Sequence, residues 1–97
     1  MSPPDGPLTR PEFESVDLTV DTGAARRHVE DAVAGLVASE ADEVVNYRTL
    51  DGTLVAVVGT PSEREGSTIA YRTAPASNPA TRKASRLREA LDPHVVG

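Results

Sequence analysis

The sequence predicts a small α+β domain: one four-stranded, mostly antiparallel sheet carrying two helices on a single face, in the order β-α-β-β-β-α. Three observations predict it. Apolar and polar residues alternate through 15–20, 44–50 and 67–73, the period-two signature of strands, and 53–59 is a further segment of strand length. Apolar residues recur at helical spacing within 21–39 and 78–91. Asp51-Gly52 separates two of the strand segments and is the dipeptide that most favours a two-residue hairpin turn, because both turn positions want positive φ.

Residues 1–12 hold Pro3, Pro4, Pro7 and Pro11 with Asp5 and Gly6, which removes backbone donors and apolar anchors together. The expectation is a disordered Pro-rich arm ahead of one domain over 13–97. In the first strand Val16, Leu18 and Val20 fall on one side, and Asp17 and Thr19 on the other. Asp21 or Thr22 can cap the helix that follows, whose stripe of Ala25, Val29, Ala32, Val33, Leu36 and Val37 extends to about Ser39. Gly35 within it costs about 1 kcal/mol relative to Ala; it reads either as a tolerated glycine or as a point of close backbone approach.

With Leu50 facing Thr53 across the turn, Val45, Tyr47, Leu54, Ala56 and Val58 share one face of the hairpin, and Leu50, Val55 and Val57 the other. The 67–73 strand is closed by Pro75. Asn78-Pro79 then supplies an N-cap with proline at the first helical position. Ala80, Ala84, Leu87 and Leu91 follow at spacings of four, three and four, up to Asp92-Pro93. Both helices are expected to pack through Val29, Val33, Leu36, Leu87 and Leu91.

Thirteen Ala and twelve Val against one Ile and one Phe make a core of small side chains. Burying a Val or Leu contributes roughly 1.5 to 3 kcal/mol, against a backbone ordering cost of about 1 to 2 kcal/mol per residue, so a monomer should be marginal and association a remedy. A homodimer covering Leu50, Val55 and Val57 is the expected form.

The absence of Cys excludes disulfides, thiolate nucleophiles and Cys-based zinc sites, and two His residues do not complete a His-rich one. The longest apolar run, residues 54–58, falls far short of the roughly 20 residues a membrane span needs, and the prolines near the amino terminus stand where a signal peptide would be apolar. A soluble, cytoplasmic protein with no membrane partner is expected. Nine Arg and one Lys in a background of Asp, Glu, Ala, Val and Thr, with a net charge of −5, resemble proteins of salt-loving archaea or very high-GC bacteria. In molar salt such charge is screened over about 3 Å and says little about partners.

Charge is unevenly placed. Residues 1–65 carry five Arg and thirteen acids, a balance of −8, and 66–97 five basic and two acidic residues, a balance of +3. Arg82, Lys83, Arg86 and Arg88 lie in the last helix; the first three cover one arc away from its apolar stripe, a surface suited to phosphate contacts. The alternative is a solvated face paired with acidic protein surface. Helix, three strands, helix is similar to the double-stranded-RNA-binding domain, and Thr81, Arg82 and Lys83 look like the basic triplet opening its second helix. The chain departs from that pattern in the strand before the first helix, in the early Ala90-Leu91 and in the missing glycine-rich approach. The full order also resembles one half of the TATA-box-binding protein fold, without the aromatic wedges a minor-groove binder inserts. Neither resemblance transfers site residues.

The segment 59–68 has glycines at 59 and 66, but it lacks the spacing, the Lys and the following helix of a phosphate loop. Ser62 reads as a loop serine. Asp42-Glu43 and Glu63 with Glu65 read as turn and surface charges, His28 near Asp31 as a surface histidine, and His94 as part of a mobile tail. A catalytic reading would need His28 or Tyr71 in a pocket beside a carboxylate. No catalytic, cofactor or metal residues are assigned. The expectation is a non-catalytic interaction or regulatory protein, with nucleic-acid binding through Arg82, Lys83, Arg86 and Arg88 as the alternative.

Overall fold

A computed structural model describes residues 12–61 and 65–96. The arm expected over residues 1–12 thus lies outside the described residues except for Glu12, and Ser62 and Glu63 lie outside them as well.

The chain runs β1 (Phe13–Leu18), α1 (Thr22–Ala32), β2 (Val37–Ala41), β3 (Val44–Arg48), β4 (Leu54–Gly59), β5 (Ser67–Arg72) and α2 (Pro79–Leu91), followed by a 3-10 turn, Asp92–His94. The strands form one sheet in the order β1-β5-β4-β3-β2, antiparallel at every pairing. This corrects the four-stranded expectation: there are five strands, and the additional one is β2. The caps are as the sequence predicts. Asp21 accepts the Ala24 amide at 2.8 Å, and Asn78 accepts the Ala80 amide at 2.9 Å ahead of Pro79.

The first helix stops at Ala32 and not near Ser39. Val33 leaves helical geometry at φ −135°, and Gly35 at φ +81° turns the chain into β2. Gly35 is therefore a reversal point, neither a tolerated helix residue nor a close approach, since a Cβ placed on it would meet nothing within 4 Å. Leu36 and Val37 continue the helical spacing by coincidence, and β2 shows no alternation because all five of its residues are exposed.

The β3–β4 turn also differs from expectation. Thr49 pairs with Thr53, the Gly52 amide donates to the Thr49 carbonyl at 2.9 Å, and Gly52 has φ +92°. The loop therefore contains three residues, a tight turn closed by a left-handed glycine. A bulge at Val55 follows, between the pairs Arg48–Leu54 and Tyr47–Ala56. The extra loop residue and the bulge cancel, so Val45 faces Val58 and Tyr47 faces Ala56, as a two-residue turn would have placed them. Only Leu54 and Val55 exchange sides. Val55 joins the helix-side core, and Leu54 joins Val57 on the outer face.

Both helices pack on the face holding Val45, Tyr47, Ala56, Val58, Ile69 and Tyr71. Val29, Val33, Leu87 and Leu91 are buried there as predicted, and Leu36 is partly buried against them. On the outer face a small cluster of Phe13, Leu54, Val57 and Ala70 is roofed by Arg72. The Arg72 guanidinium stands 5.0 Å from the centre of the Phe13 ring, and its Nε–H donates to the Leu54 carbonyl at 2.7 Å.

Because Gly35 has open space around its missing side chain but a left-handed φ, Gly35→Ala should cost about 1 kcal/mol by backbone strain alone. That corresponds to a fall of roughly 4–8 °C in Tm for a domain of this size, measured by thermal circular dichroism. Gly35→Asn should recover part of the loss, because Asn tolerates this region.

Candidate functional site

The two edges of the sheet are treated differently. β1 is closed by the chain's own carboxyl-terminal tail: the Thr19 amide donates to the His94 carbonyl at 2.8 Å, the Val96 amide to the Asp17 carbonyl at 2.9 Å, and Leu18 bridges Val95. His94 stacks on His28 of α1, ring centroids 4.5 Å apart. The tail is thus docked, which corrects the expectation that His94 belongs to a mobile segment. At the opposite edge, no strand among the described residues covers the outer side of β2, and its sequence V-A-S-E-A contains no Lys, Pro or bulge.

Leu50, Val55 and Val57 are not brought together. Leu50 lies on the three-residue loop, 84% exposed, whereas Val55 is wholly buried on the helix side and Val57 is 2% exposed on the outer face. The apolar side chains of the outer face, Phe13, Leu54, Val57 and Ala70, are themselves buried, with Arg72 over the Phe13 ring. The bulge that separates Val55 from Val57 leaves no signature in the sequence.

Arg82 and Arg86 are exposed on α2, and Lys83 is half-buried at its amino-terminal end. Glu89 lines the same surface as Arg82 and Arg86. Arg88 points away from them toward the sheet, with its Nη1 3.4 Å from Glu14 of β1. Two of the four predicted cations, Arg82 and Arg86, therefore share a surface; Lys83 lies against the 49–53 loop and Gly35, and Arg88 ties α2 to the sheet.

The feature that sequence reasoning missed lies beneath Arg88. A pocket of about 120 Å3 opens between β5 and α2, lined by Tyr71, Thr73, Thr81, Ala84, Ser85 and Arg88 together with Arg72. Tyr71, on β5, points at the helices because it pairs across the sheet with Ala56 and Glu14. Its hydroxyl and that of Thr81 are the two buried side-chain oxygens without a hydrogen-bond partner among the described residues. Tyr71 is the residue whose presence in a pocket a catalytic reading would need. However, its hydroxyl engages no carboxylate, and Glu14 is directed at Arg88. Burial pushes the Tyr71 hydroxyl far above the ordinary phenol range, with Arg88 opposing and Asp92 and Glu14 reinforcing the shift. It is held in its neutral form.

Among the described residues no cluster of three or more His, Cys, Asp or Glu side chains could hold a metal ion, and no helix is long and apolar enough to cross a membrane. The chain matches no family model, no curated protein and no solved structure.

Both tyrosines have raised pKa values. Tyr47 is raised first by burial, and its hydroxyl donates to Glu30 at 3.2 Å. An acid with a raised folded-state pKa contributes stability that is complete below its unfolded value and declines as pH rises past it. Spectrophotometric titration should therefore place both phenolate steps above pH 10.0, the unperturbed value, with that of Tyr71 developing only as the fold is lost in alkali. Tyr71→Phe should move that alkaline unfolding to higher pH.

Proposed function

We propose that the chain is a non-catalytic interaction module that associates with a second copy of itself through the outer edge of β2. The observation behind this reading is the asymmetry of the sheet, with β1 covered by the protein's own tail and the side chains of β2 exposed, no described strand pairing with its outer edge. An uncovered edge presents a row of backbone donors and acceptors that another strand can pair with. Natural edges are usually blunted by Lys, Pro or bulges, none of which β2 has.

A second copy suits this edge. Antiparallel pairing about a twofold axis at Ser39 sets Ala38 against Glu40 of the other protomer, and Val37 against its Ala41. The Glu40 carboxylates then do not oppose one another, and Val37, 48% exposed, gains an apolar neighbour. Glu40 keeps its ion pair with Arg26 at 3.7 Å on the helix side. Ten strands in one continuous sheet remain within the usual range.

Light scattering with in-line chromatography in molar salt should give twice 10.2 kDa. Ser39→Lys places like charges opposite each other at the axis and should yield monomer, as should Ser39→Glu, while an equimolar mixture of the two should recover the dimer. A folded wild type of single-chain mass, or Ser39→Lys eluting as wild type, would overturn the proposal.

A second reading rests on Arg82 and Arg86, exposed on one surface of α2, with Lys83 half-buried beside them, none of the three having a salt bridge to a described carboxylate. Bound to duplex backbone, each cation would contribute about 0.9 to the slope of log affinity against log salt. Replacing all three by Gln should flatten that slope by about three units, for every sequence alike, in a polarisation titration. A folded wild type that fails to bind mixed duplexes at low salt excludes this reading.

A further inference from the structure

We propose that the cleft between the 49–53 loop and the start of α2 is a docking site for the chain's own segment 5–10. Leu8 seats against Leu50 and Pro79, Asp5 lies beside Lys83, and Arg10 lies beside Asp51. The cleft has a volume of about 320 Å3, and its surface is largely apolar. Leu50 is 84% exposed, Pro79 is exposed as well, and a Cβ placed on Gly35, which also lines the cleft, would meet nothing within 4 Å. The groups an occupant would touch are thus open to it, and a concave apolar surface gains from being covered.

Chain geometry selects the occupant. The Glu12 carbonyl accepts the Thr73 amide at 2.6 Å and the Thr73 hydroxyl at 2.9 Å, so segment 5–10 is tethered beside the end of β5. Arg72, at that end, donates to the Leu54 carbonyl just beyond the 49–53 loop. Tether and cleft are therefore at the same end of the sheet. β4 and β3 are two and three strand spacings from β1, roughly 10–14 Å at about 4.8 Å each. Leu8, four residues before Glu12, spans about 13–14 Å when extended. The cleft beside Asp42 and Glu43 lies at the far end of β4, about 20 Å away along a strand of six residues, and is out of its reach.

Charge sets the direction. Segment 5–10 carries one charge of each sign, Asp5 and Arg10, and so does the cleft. Lys83 is half-buried and has no salt bridge to a described carboxylate. The Thr49 hydroxyl and the Thr53 amide both donate to Oδ1 of Asp51, which holds this carboxyl below its usual range and leaves Oδ2 without a hydrogen bond from a described residue. Exposed ion pairs contribute little, so Leu8 supplies the affinity and the charges the orientation. Pro7 suits the role, because its fixed φ leaves less entropy to lose and it has no N–H that needs a partner.

The chain has no Cys, so Thr9→Cys gives a single attachment point for a nitroxide on the full chain. In the labelled chain the amides of Gly35, Leu50, Asp51 and Lys83 should lose most of their intensity and regain it when the nitroxide is reduced. Leu8→Asp should lower the docked population about ten-fold and remove the broadening, as should Leu50→Asp on the exposed loop, with circular dichroism as the check that each variant folds. Asp5→Lys should weaken docking by up to about five-fold, and adding Lys83→Asp should restore it. Broadening spread evenly over the surface, broadening confined to β1 and β5, or folded Leu8→Asp and Leu50→Asp variants that broaden like the parent would each overturn the proposal. A mixture of labelled chain without nitrogen-15 and unlabelled chain with it should show no broadening. Broadening in that mixture would assign the cleft to a second copy and overturn docking within the chain.

Discussion

The packing of the whole sheet hangs on the parity of one hairpin. Side chains alternate between faces along a strand, so a one-residue slip sends every core residue to the wrong side. The three-residue loop at 50–52 introduces such a slip, and the bulge at Val55 removes it shortly afterwards. β4 is the central strand and pairs onward to β5, which pairs to β1. The correction at Val55 therefore sets the facing of Ile69 and Tyr71, and through them of Val16 and Glu14. Without it Val45 and Tyr47 would share a face with Val57, while Ala56 and Val58 would turn away from the helices.

That parity creates one row across the sheet: Ala38, Tyr47, Ala56, Tyr71 and Glu14 on successive strands from β2 to β1. Alanine at the centre leaves room for a tyrosine on each side. The helices add their own small residues, Ala25 on α1 and Ala80 and Ala84 on α2, all fully buried. A core with one Phe and one Ile is thus filled by two large rings between close-set helices. The rings then differ in what they find at their polar ends. Tyr47 reaches Glu30 and Arg26 of α1, whereas Tyr71 lies under α2, which offers Thr81, Ala84 and Ser85 but no hydrogen bond.

Most of the fold is legible in the sequence because its signals are local. Asp21 and Asn78 announce the helix starts, alternation marks β1, β3 and β5, an apolar run beyond a turn dipeptide marks β4, and the facing of Val45 and Tyr47 follows from that turn. β2 is illegible for a physical reason. An edge strand exposed on all sides carries no hydrophobic period, and Leu36-Val37 happens to extend the helical one. Gly35 holds the corrective signal, since a glycine near a helix end is as much a stop as a defect. The bulge is beyond reach, because the unbroken apolar run at 54–58 looks the same in either register: Leu54 and Val55 are equally apolar, and only pairing distinguishes them. The pocket is illegible too. In sequence Arg88 is one of four cations on a helix, and only tertiary structure separates it from Arg82, Lys83 and Arg86 by turning it toward Glu14.

The two edges of the sheet are tied to different helices. Arg88 reaches from α2 to Glu14 on β1, and the tail that follows α2 closes the outer edge of that same strand through His94 and Val96. Tyr71 is on the next strand inward. α2, the tail and β1 are therefore joined by direct contacts around the closed edge. β2 is four strand spacings from β1, roughly 19 Å at about 4.8 Å each, and its nearest helix is α1, through Arg26 and Glu40. Between them lies β4, buried on both faces, the segment least able to yield because close-packed interiors leave no slack. Pairing along β2 would thus leave the contacts that close β1 undisturbed.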